Sequence, residues 1–361
     1  MNNNLDIHEM FMSRALELAR QGRGSVSPNP MVGCVLVKDG EIIGEGYHEK
    51  FGCEHAEVNA IKNSRKDPVD STAYVTLEPC NITAKTPPCT QLLIENGIRE
   101  VFVSDIDPNP DISGRGIEDL RNAGIKVYSG VLSDESRNLN KGFYKWVTTG
   151  RPWIIAKVAQ SRNKFMGLNS NSCTKITGHE AMRHCHELRS EVDSVLVGKQ
   201  TALIDNPQLT VREIAGNNPK RVILDTNRTL PITLDMFNDN AAETIVICSS
   251  KKFKDNSTSF CKYWKAKEVD GMLDINDVLD QLANHGIVSV LVEGGPSILK
   301  SFMQSNLIDE AVIYTSDTDL DDAVLKNPLT FDDNWDMVDD RLMGKDNMKI
   351  FLNRSVECLV E

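Results

Sequence analysis

The order of ligand-type residues between positions 55 and 89 restricts this chain more than any other feature: His55-Ala56-Glu57, then Pro79-Cys80, then Cys89. One imidazole and two thiolates make a soft tetrahedral set suited to zinc, and the fourth position stays open, as in a catalytic site. Taken singly, Cys80 and Cys89 read as buried structural thiols and His55 as a residue at a helix start. Together, with His-x-Glu opening a helix and Pro-Cys closing a strand, they read as one metal centre. Glu57 stands two residues after His55, where it can sit beside the metal and carry protons without ligating it. The helices that start at His55 and at Cys89 would both turn a positive end toward the thiolates.

The 361 residues favour two domains, with a boundary near 148, giving segments 1–148 and 149–361. Residues 8–21 have helical spacing, Met31–Lys38 and Glu41–Tyr47 form a hairpin at Asp39-Gly40, and a helix runs from His55 to about Asn63. A buried strand Ala73–Leu77 precedes a helix Cys89–Glu95 stopped by Gly97, and the alternation continues through Val101–Ser104, 117–123 and Lys126–Tyr128. A helical stretch Asp134–Val147 and the Gly150-Arg151-Pro152 turn lead into the second region. There the strands are expected at Trp153–Val158, Val192–Val197, Arg221–Asp225, Thr244–Cys248 and Val288–Val292. Thr177 and Glu180 suggest a capping box for a helix ending near Arg189, and another helix follows Glu293-Gly294-Gly295-Pro296 from about Ser297. Both regions are α/β.

Several function classes fall away on composition. A formal charge of −12 disfavours a nucleic-acid partner and leaves a small molecule as the expected one. No apolar run approaches the roughly 20 residues of a membrane span, and Met1–Glu9 is too polar for a secretory leader, so a cytoplasmic setting is expected. The nine cysteines are an odd count on a long chain, which favours metal ligation or burial over a disulfide framework.

A His/Cys/Cys zinc site with a non-ligating glutamate is the arrangement of zinc deaminases, which replace an exocyclic amino group with oxygen. The chain resembles the cytidine-deaminase-like superfamily, and within it the bifunctional deaminase/reductases of riboflavin biosynthesis. The spacing discriminates: eight residues separate Cys80 from Cys89, within Thr76-Leu77-Glu78-Pro79-Cys80 and Lys85-Thr86-Pro87-Pro88-Cys89. Pro28-Asn29-Pro30-Met31-Val32-Gly33-Cys34, Gly44-Glu45-Gly46-Tyr47-His48, Asp107-Pro108-Asn109-Pro110 and Gly114-Arg115-Gly116 also match. In the second region the resemblance rests on Lys157-Val158-Ala159-x-Ser161, Leu188-Arg189, Val197-Gly198, Asp205-Asn206-Pro207-x-Leu209-Thr210-x-Arg212, Val222-Ile223-Leu224-Asp225 and Val292-Glu293-Gly294-Gly295-Pro296.

The resemblance implies a three-layer cytidine-deaminase-like domain followed by a dihydrofolate-reductase-like domain, with zinc and NADPH as cofactors. It implies deamination of a diaminopyrimidinone ribosylamine phosphate and reduction of its ribosyl chain to ribityl, in a homo-oligomer, dimer or tetramer. Asn29 and Lys85 would then meet the substrate in the first domain. Cys173, Arg189, Leu209, Arg212 and Glu293 would hold it in the second. Ala159, Lys175, Thr201, Asp205, Gly295, Pro296 and Ser297 would take the dinucleotide, in keeping with arginine on phosphate and glycines before a helix start.

The chain departs from that family's pattern at Ile82 and Ala84, where His and Gly are usual, and at Lys175 and Cys173, where Trp and Ser are usual. Ser161-Arg162-Asn163-Lys164 replaces a Ser-Leu-Asp-Gly-Lys stretch, and a late Pro-Lys-Leu-Leu-Gly element is missing around Asp317–Asp322. The alternative is therefore a deaminase whose second domain is catalytically silent. His184-Cys185-His186 resembles a ligand cluster, but alternate residues of a helix face apart, so these are expected on an exposed or partly packed surface. The nine aspartates of residues 317–340 read as a solvated loop or edge.

Overall fold

The computed structural model describes residues 2–82, 87–169 and 174–355. The chain divides into two compact units, Met1–Thr149 and Gly150–Glu361.

In the first unit, strands β1 (Gly33–Lys38), β2 (Glu41–Tyr47), β3 (Thr72–Val75), β4 (Glu100–Val103) and β5 (Lys126–Ser129) form one sheet in the order β2-β1-β3-β4-β5. β1 runs antiparallel to both neighbours, whereas β3, β4 and β5 are parallel. Helix α1 (Asn2–Ala19) covers one face through Phe11, Met12, Ala15 and Leu18. Helices α2 (Ala56–Lys62), α3 (Cys89–Glu95) and α4 (Arg115–Asn122) cover the other through Ala56, Ala60, Leu93, Ile117 and Leu120. With apolar cover on both faces the inner strands are continuous apolar runs, and the unit has three layers. Gly46 lets α2 lie directly on β2, because a Cβ there would stand 2.3 Å from the Ala60 nitrogen.

The expected helix 134–147 is two: α5 (Ser133–Leu139) and α6 (Lys141–Thr149). The break falls at Asn140, whose side chain accepts from the Met31 amide at 2.7 Å and donates to the Met31 carbonyl at 2.9 Å. Buried Asp105 ties both helices to the end of β4, accepting from Ser133 Oγ at 3.0 Å, Arg137 Nε at 2.7 Å and Tyr144 Oη at 2.6 Å.

The second unit carries a nine-stranded sheet. From one edge the strands are Cys261–Ala266, Thr244–Ser249, Lys220–Leu224, Ser194–Gly198, Ser289–Val292, β6 (Trp153–Gln160), Glu310–Thr315, Asp346–Asn353 and Trp335–Met343. The first seven are parallel and the last two join antiparallel. Helices α7 (His179–Glu191) and α8 (Lys199–Asp205) pack on one face with Ala181, Leu188 and Ala202. Helices α9 (Ile275–Asn284) and α10 (Pro296–Gln304) pack on the other with Val278, Leu282, Leu299 and Phe302.

The expected capping box does not form. α7 begins at His179 behind Gly178, whose amide donates to Asp346 Oδ2 at 2.7 Å, so a distant aspartate caps the helix in place of Thr177. Part of the acidic 317–340 segment enters the sheet as the edge strand Trp335–Met343, whose Asp336, Asp339 and Asp340 keep that edge charged. Among the described residues no helix is long and apolar enough to cross a membrane.

Candidate active sites

The first unit brings three elements together at one point. His55 is the extended residue before α2, Glu57 lies in that helix's first turn, Cys80 follows the end of β3, and Cys89 opens α3. His55 Nδ1 lies 3.5 Å from Cys80 Sγ and 3.3 Å from Cys89 Sγ, and the three ligand atoms all lie within 4.8 Å of one another. Zinc bonds of about 2.05 Å to nitrogen and 2.3 Å to sulfur, at the tetrahedral angle, set such atoms about 3.5 Å apart. The donors and their spacing therefore fit a zinc ion.

The ligands polarise one another. The Cys89 thiol hydrogen-bonded to Cys80 brings the Cys80 thiol down to about 4, with burial opposing and His55 assisting. Cys80 in turn holds the His55 imidazolium, raised to about 9 against burial. Glu57 is buried, and its carboxyl is pushed up first by that burial and then by the Cys80 thiolate. It is thereby poised to accept and hold a proton.

Around the ligands stands a shell of which motif reading assigned a role to Asn29 alone. A carbonyl can only accept, so His48 donates from Nδ1 to the Glu54 carbonyl at 3.0 Å, and its Nε2 then accepts from Asn29 Nδ2 at 3.2 Å. Burial lowers the His48 pKa and favours this neutral form. The Asn29 amide is thus turned with its nitrogen toward His48, leaving Oδ1 to accept elsewhere. Lys85 and Ala84 lie outside the described residues; Ile82 is exposed.

Glu78, two residues before Cys80, is buried and accepts four backbone N–H groups: Asp107 at 3.2 Å, Gly114 at 2.8 Å, Gly116 at 2.8 Å and Ile117 at 3.2 Å. It binds the Cys80 segment to the start of α4, and Gly116 permits the contact because a Cβ there would meet the Pro79 carbonyl oxygen at 2.2 Å. Replacing Glu78 by Gln turns an amide N–H against this nest of donors. The expected result is a roughly 10- to 100-fold loss of zinc affinity, read by competition with a chromophoric chelator; unchanged affinity would show that Cys80 is held by other contacts.

In the second unit a cavity of about 710 Å³ opens beside β6 and α7. Ala159, Lys175, Thr201 and Asp205 line it, together with the turn Gly295-Pro296-Ser297 at the head of α10. Arg189, Arg212 and Glu293 line it as well. Leu209 does not line it: this residue sits in a left-handed conformation with φ 53°, its side chain buried in the core beneath α7 and α8. Cys173 lies outside the described residues.

The cavity's charges are divided in a way the sequence left open. Glu293 accepts from Arg189 Nε at 2.6 Å and Nη2 at 3.0 Å, from the Cys185 thiol at 3.6 Å, and pairs with Lys157 Nζ at 3.5 Å. Burial would raise the Glu293 carboxyl, but Arg189 and Lys157 outweigh it and hold it at about 2. Arg189, expected to face the substrate, commits its fork to Glu293 and its Nη1 to the Thr210 carbonyl at 3.1 Å. Arg212 donates to Thr210 Oγ1 at 2.8 Å. Neither it nor Lys175 has a carboxylate partner among the described residues.

His184, Cys185 and His186 do diverge: His184 is half-buried, as expected of a partly packed surface, whereas Cys185 and His186 turn into the protein. His184 Nδ1 shares a hydrogen bond with Tyr314 Oη at 2.5 Å, Cys185 turns to Glu293, and His186 Nδ1 accepts the Arg212 amide at 3.1 Å. Cys185 and His186 are buried.

Against known families, residues 5–105 match the cytidine and deoxycytidylate deaminase zinc-binding region, and residues 152–317 match the RibD C-terminal domain. The riboflavin biosynthesis protein RibD of Aquifex aeolicus is 40% identical over 314 residues, covering 86% of each chain. The protein of the same name from Escherichia coli K12 is 37% identical over 327 residues, covering 85% of this chain and 86% of its own. The crystal structure of a diaminohydroxyphosphoribosylaminopyrimidine deaminase/5-amino-6-(5-phosphoribosylamino)uracil reductase from Thermotoga maritima is similar at a TM-score of 0.88 and 35% identity, over 97% of this chain and all of that one. RibD of Acinetobacter baumannii gives 0.87 at 32% identity, over 97% and 99%.

Proposed function

Because the chain belongs to the RibD family of riboflavin-biosynthesis deaminase/reductases, we propose how its residues divide that work. The first unit is a zinc deaminase and the second an NADPH-dependent reductase. The substrate of the first is a diaminopyrimidinone ribosylamine phosphate; the deaminated product goes on to the second, where its ribosyl chain becomes ribityl. Zinc supplies a Lewis acid that makes water nucleophilic near neutral pH, and NADPH supplies the two-electron reductant.

The chain's own residues do the rest. His55, Cys80 and Cys89 hold the zinc. Glu57 takes a proton from the attacking water and passes it to the departing nitrogen, and its raised pKa suits it to both acts. Asn29 Oδ1 accepts from the substrate's amino groups, and Lys85 meets its polar end. In the reductase cavity Arg212 contacts the phosphate. Arg189 and Lys157 hold Glu293 ionised against the same ligand, where it accepts hydrogen bonds from sugar hydroxyls. Leu209, its side chain buried, contributes backbone only, and Cys173 stands where a substrate-contacting serine is usual. Ala159, Thr201, Asp205 and the Gly295-Pro296-Ser297 turn take the dinucleotide, with Lys175 adding a cation to that wall. The reading includes a homo-oligomer, dimer or tetramer, working in the cytoplasm.

The observation that carries this reading is the convergence of one nitrogen and two sulfurs at tetrahedral zinc spacing beside a buried glutamate. The test is to give the zinc-replete protein the pyrimidine phosphate and follow ammonia together with NADPH. Both signals are expected. Ammonia alone would make the second unit silent, and no ammonia from this compound would overturn the substrate.

A further inference from the structure

The loop from Gln208 to Arg212 has no regular secondary structure, yet it brings to the cavity a guanidinium that has no carboxylate partner among the described residues. Its backbone is held from several sides. Buried Arg221, itself paired with Asp239, donates to the Gln208 carbonyl at 3.2 Å. Arg189 donates to the Thr210 carbonyl at 3.1 Å, and the Val211 amide donates to Asn218 Oδ1 at 2.8 Å. Two restraints fall on Arg212, the residue that carries the charge: its guanidinium Nη1 donates to Thr210 Oγ1 at 2.8 Å, and its backbone amide donates to His186 Nδ1 at 3.1 Å.

That bond fixes the state of the imidazole. A backbone N–H can only donate, so Nδ1 carries no proton, and the neutral ring keeps its proton on Nε2. Burial, followed by the neighbouring Arg189 and Arg212 cations, lowers the His186 pKa and favours the same form. His186 also lines the cavity, one turn of α7 before Arg189. We infer that His186 is a positioning residue for phosphate recognition: its Nδ1 fixes the Arg212 backbone so that the guanidinium is pre-set for a phosphate monoester in the reductase cavity. This rests on the reading of Arg212 as the phosphate contact. The consequence is a division of labour along α7, in which Arg189 holds Glu293 and Thr210 while His186 holds Arg212.

The experiment uses the full-length zinc-loaded enzyme, the deaminated pyrimidine ribosyl phosphate and NADPH oxidation as the signal. Arg212→Ala is expected to raise KM roughly 100-fold, in line with losing a charge-assisted contact. His186→Leu is expected to raise KM roughly tenfold with kcat within about twofold, since the guanidinium remains but is no longer pre-set. His186→Asn, whose Oδ1 stands near the place of Nδ1, should return KM to within about threefold of the parent. In an Arg212→Ala background, His186→Leu should add nothing. If the Leu variant does not fold, His186→Phe keeps the ring and deletes the acceptor. An unchanged KM for His186→Leu or His186→Phe while Arg212→Ala is impaired would overturn the positioning role alone. So would an Asn variant as poor as Leu, or a full extra loss in the double variant. An unchanged KM for Arg212→Ala would instead remove Arg212 as the phosphate contact, and the role of His186 with it.

Discussion

Glu57→Gln is expected to lower the rate of ammonia release by roughly 10²- to 10⁴-fold, the span of general acid–base catalysis, with zinc content unchanged. The substitution keeps the shape and deletes the proton carrier. Zinc retention follows from the geometry: His55, Cys80 and Cys89 already supply three ligand atoms within 4.8 Å of one another. Folding should also survive, because a neutral amide is easier to bury than a carboxylate, and burial is the leading cause of the raised Glu57 pKa. Two measurements decide the case, an ammonia assay and metal analysis of the same sample. Full activity would move the proton transfer to another group. Loss of zinc along with activity would make Glu57 a structural member of the site rather than its proton carrier.

The ligands were readable in the sequence because each sits at the edge of an element that local rules define. His55 and Cys89 mark helix starts, and Cys80 follows an apolar strand closed by Pro79. The parallel strands of the second unit were readable as short apolar runs for a related reason, since burial on both faces leaves little room for polar side chains. What escaped depends on partners far along the chain. Thr177 looks like a cap, but Asp346, 168 residues away, takes the Gly178 amide. Glu78 looks like any acidic residue before a turn until residues 107–117 bring it four N–H groups. The strand Glu310–Thr315 opens with a glutamate, and only its insertion between β6 and Asp346–Asn353 buries it. Arg189 and Glu293 were both named as substrate contacts. Their separation of 104 residues concealed that they first contact each other.

That pairing sets the largest stability effect. Arg189→Met should destabilise the second unit by roughly 3–5 kcal/mol, the cost of leaving one member of a buried ion pair behind. The Glu293 and Arg189 side chains are only 8% and 11% exposed, so solvent does little to soften the loss. The titration gives a consistent size: a carboxyl held at about 2 against about 4.3 in an unfolded chain corresponds to about 3 kcal/mol. The sign is that of a depressed acid. The contribution is fully present above the unfolded value and is lost as pH falls through about 4.3 toward about 2. In the Met variant Lys157 and the Cys185 thiol are left to oppose burial, so Glu293 should protonate at higher pH and the loss should begin nearer neutrality. Urea unfolding across acidic to neutral pH separates the two curves. At roughly 2–4 °C per kcal/mol for a unit of this size, the variant should melt roughly 6–20 °C lower. A double variant with Glu293→Gln should recover much of the loss, because the stranded charge is gone. If Arg189→Met were as stable as the parent at every pH, the guanidinium would not be clamping Glu293, and its fork would be free to bind the phosphate that the Glu293 pairing leaves to Arg212.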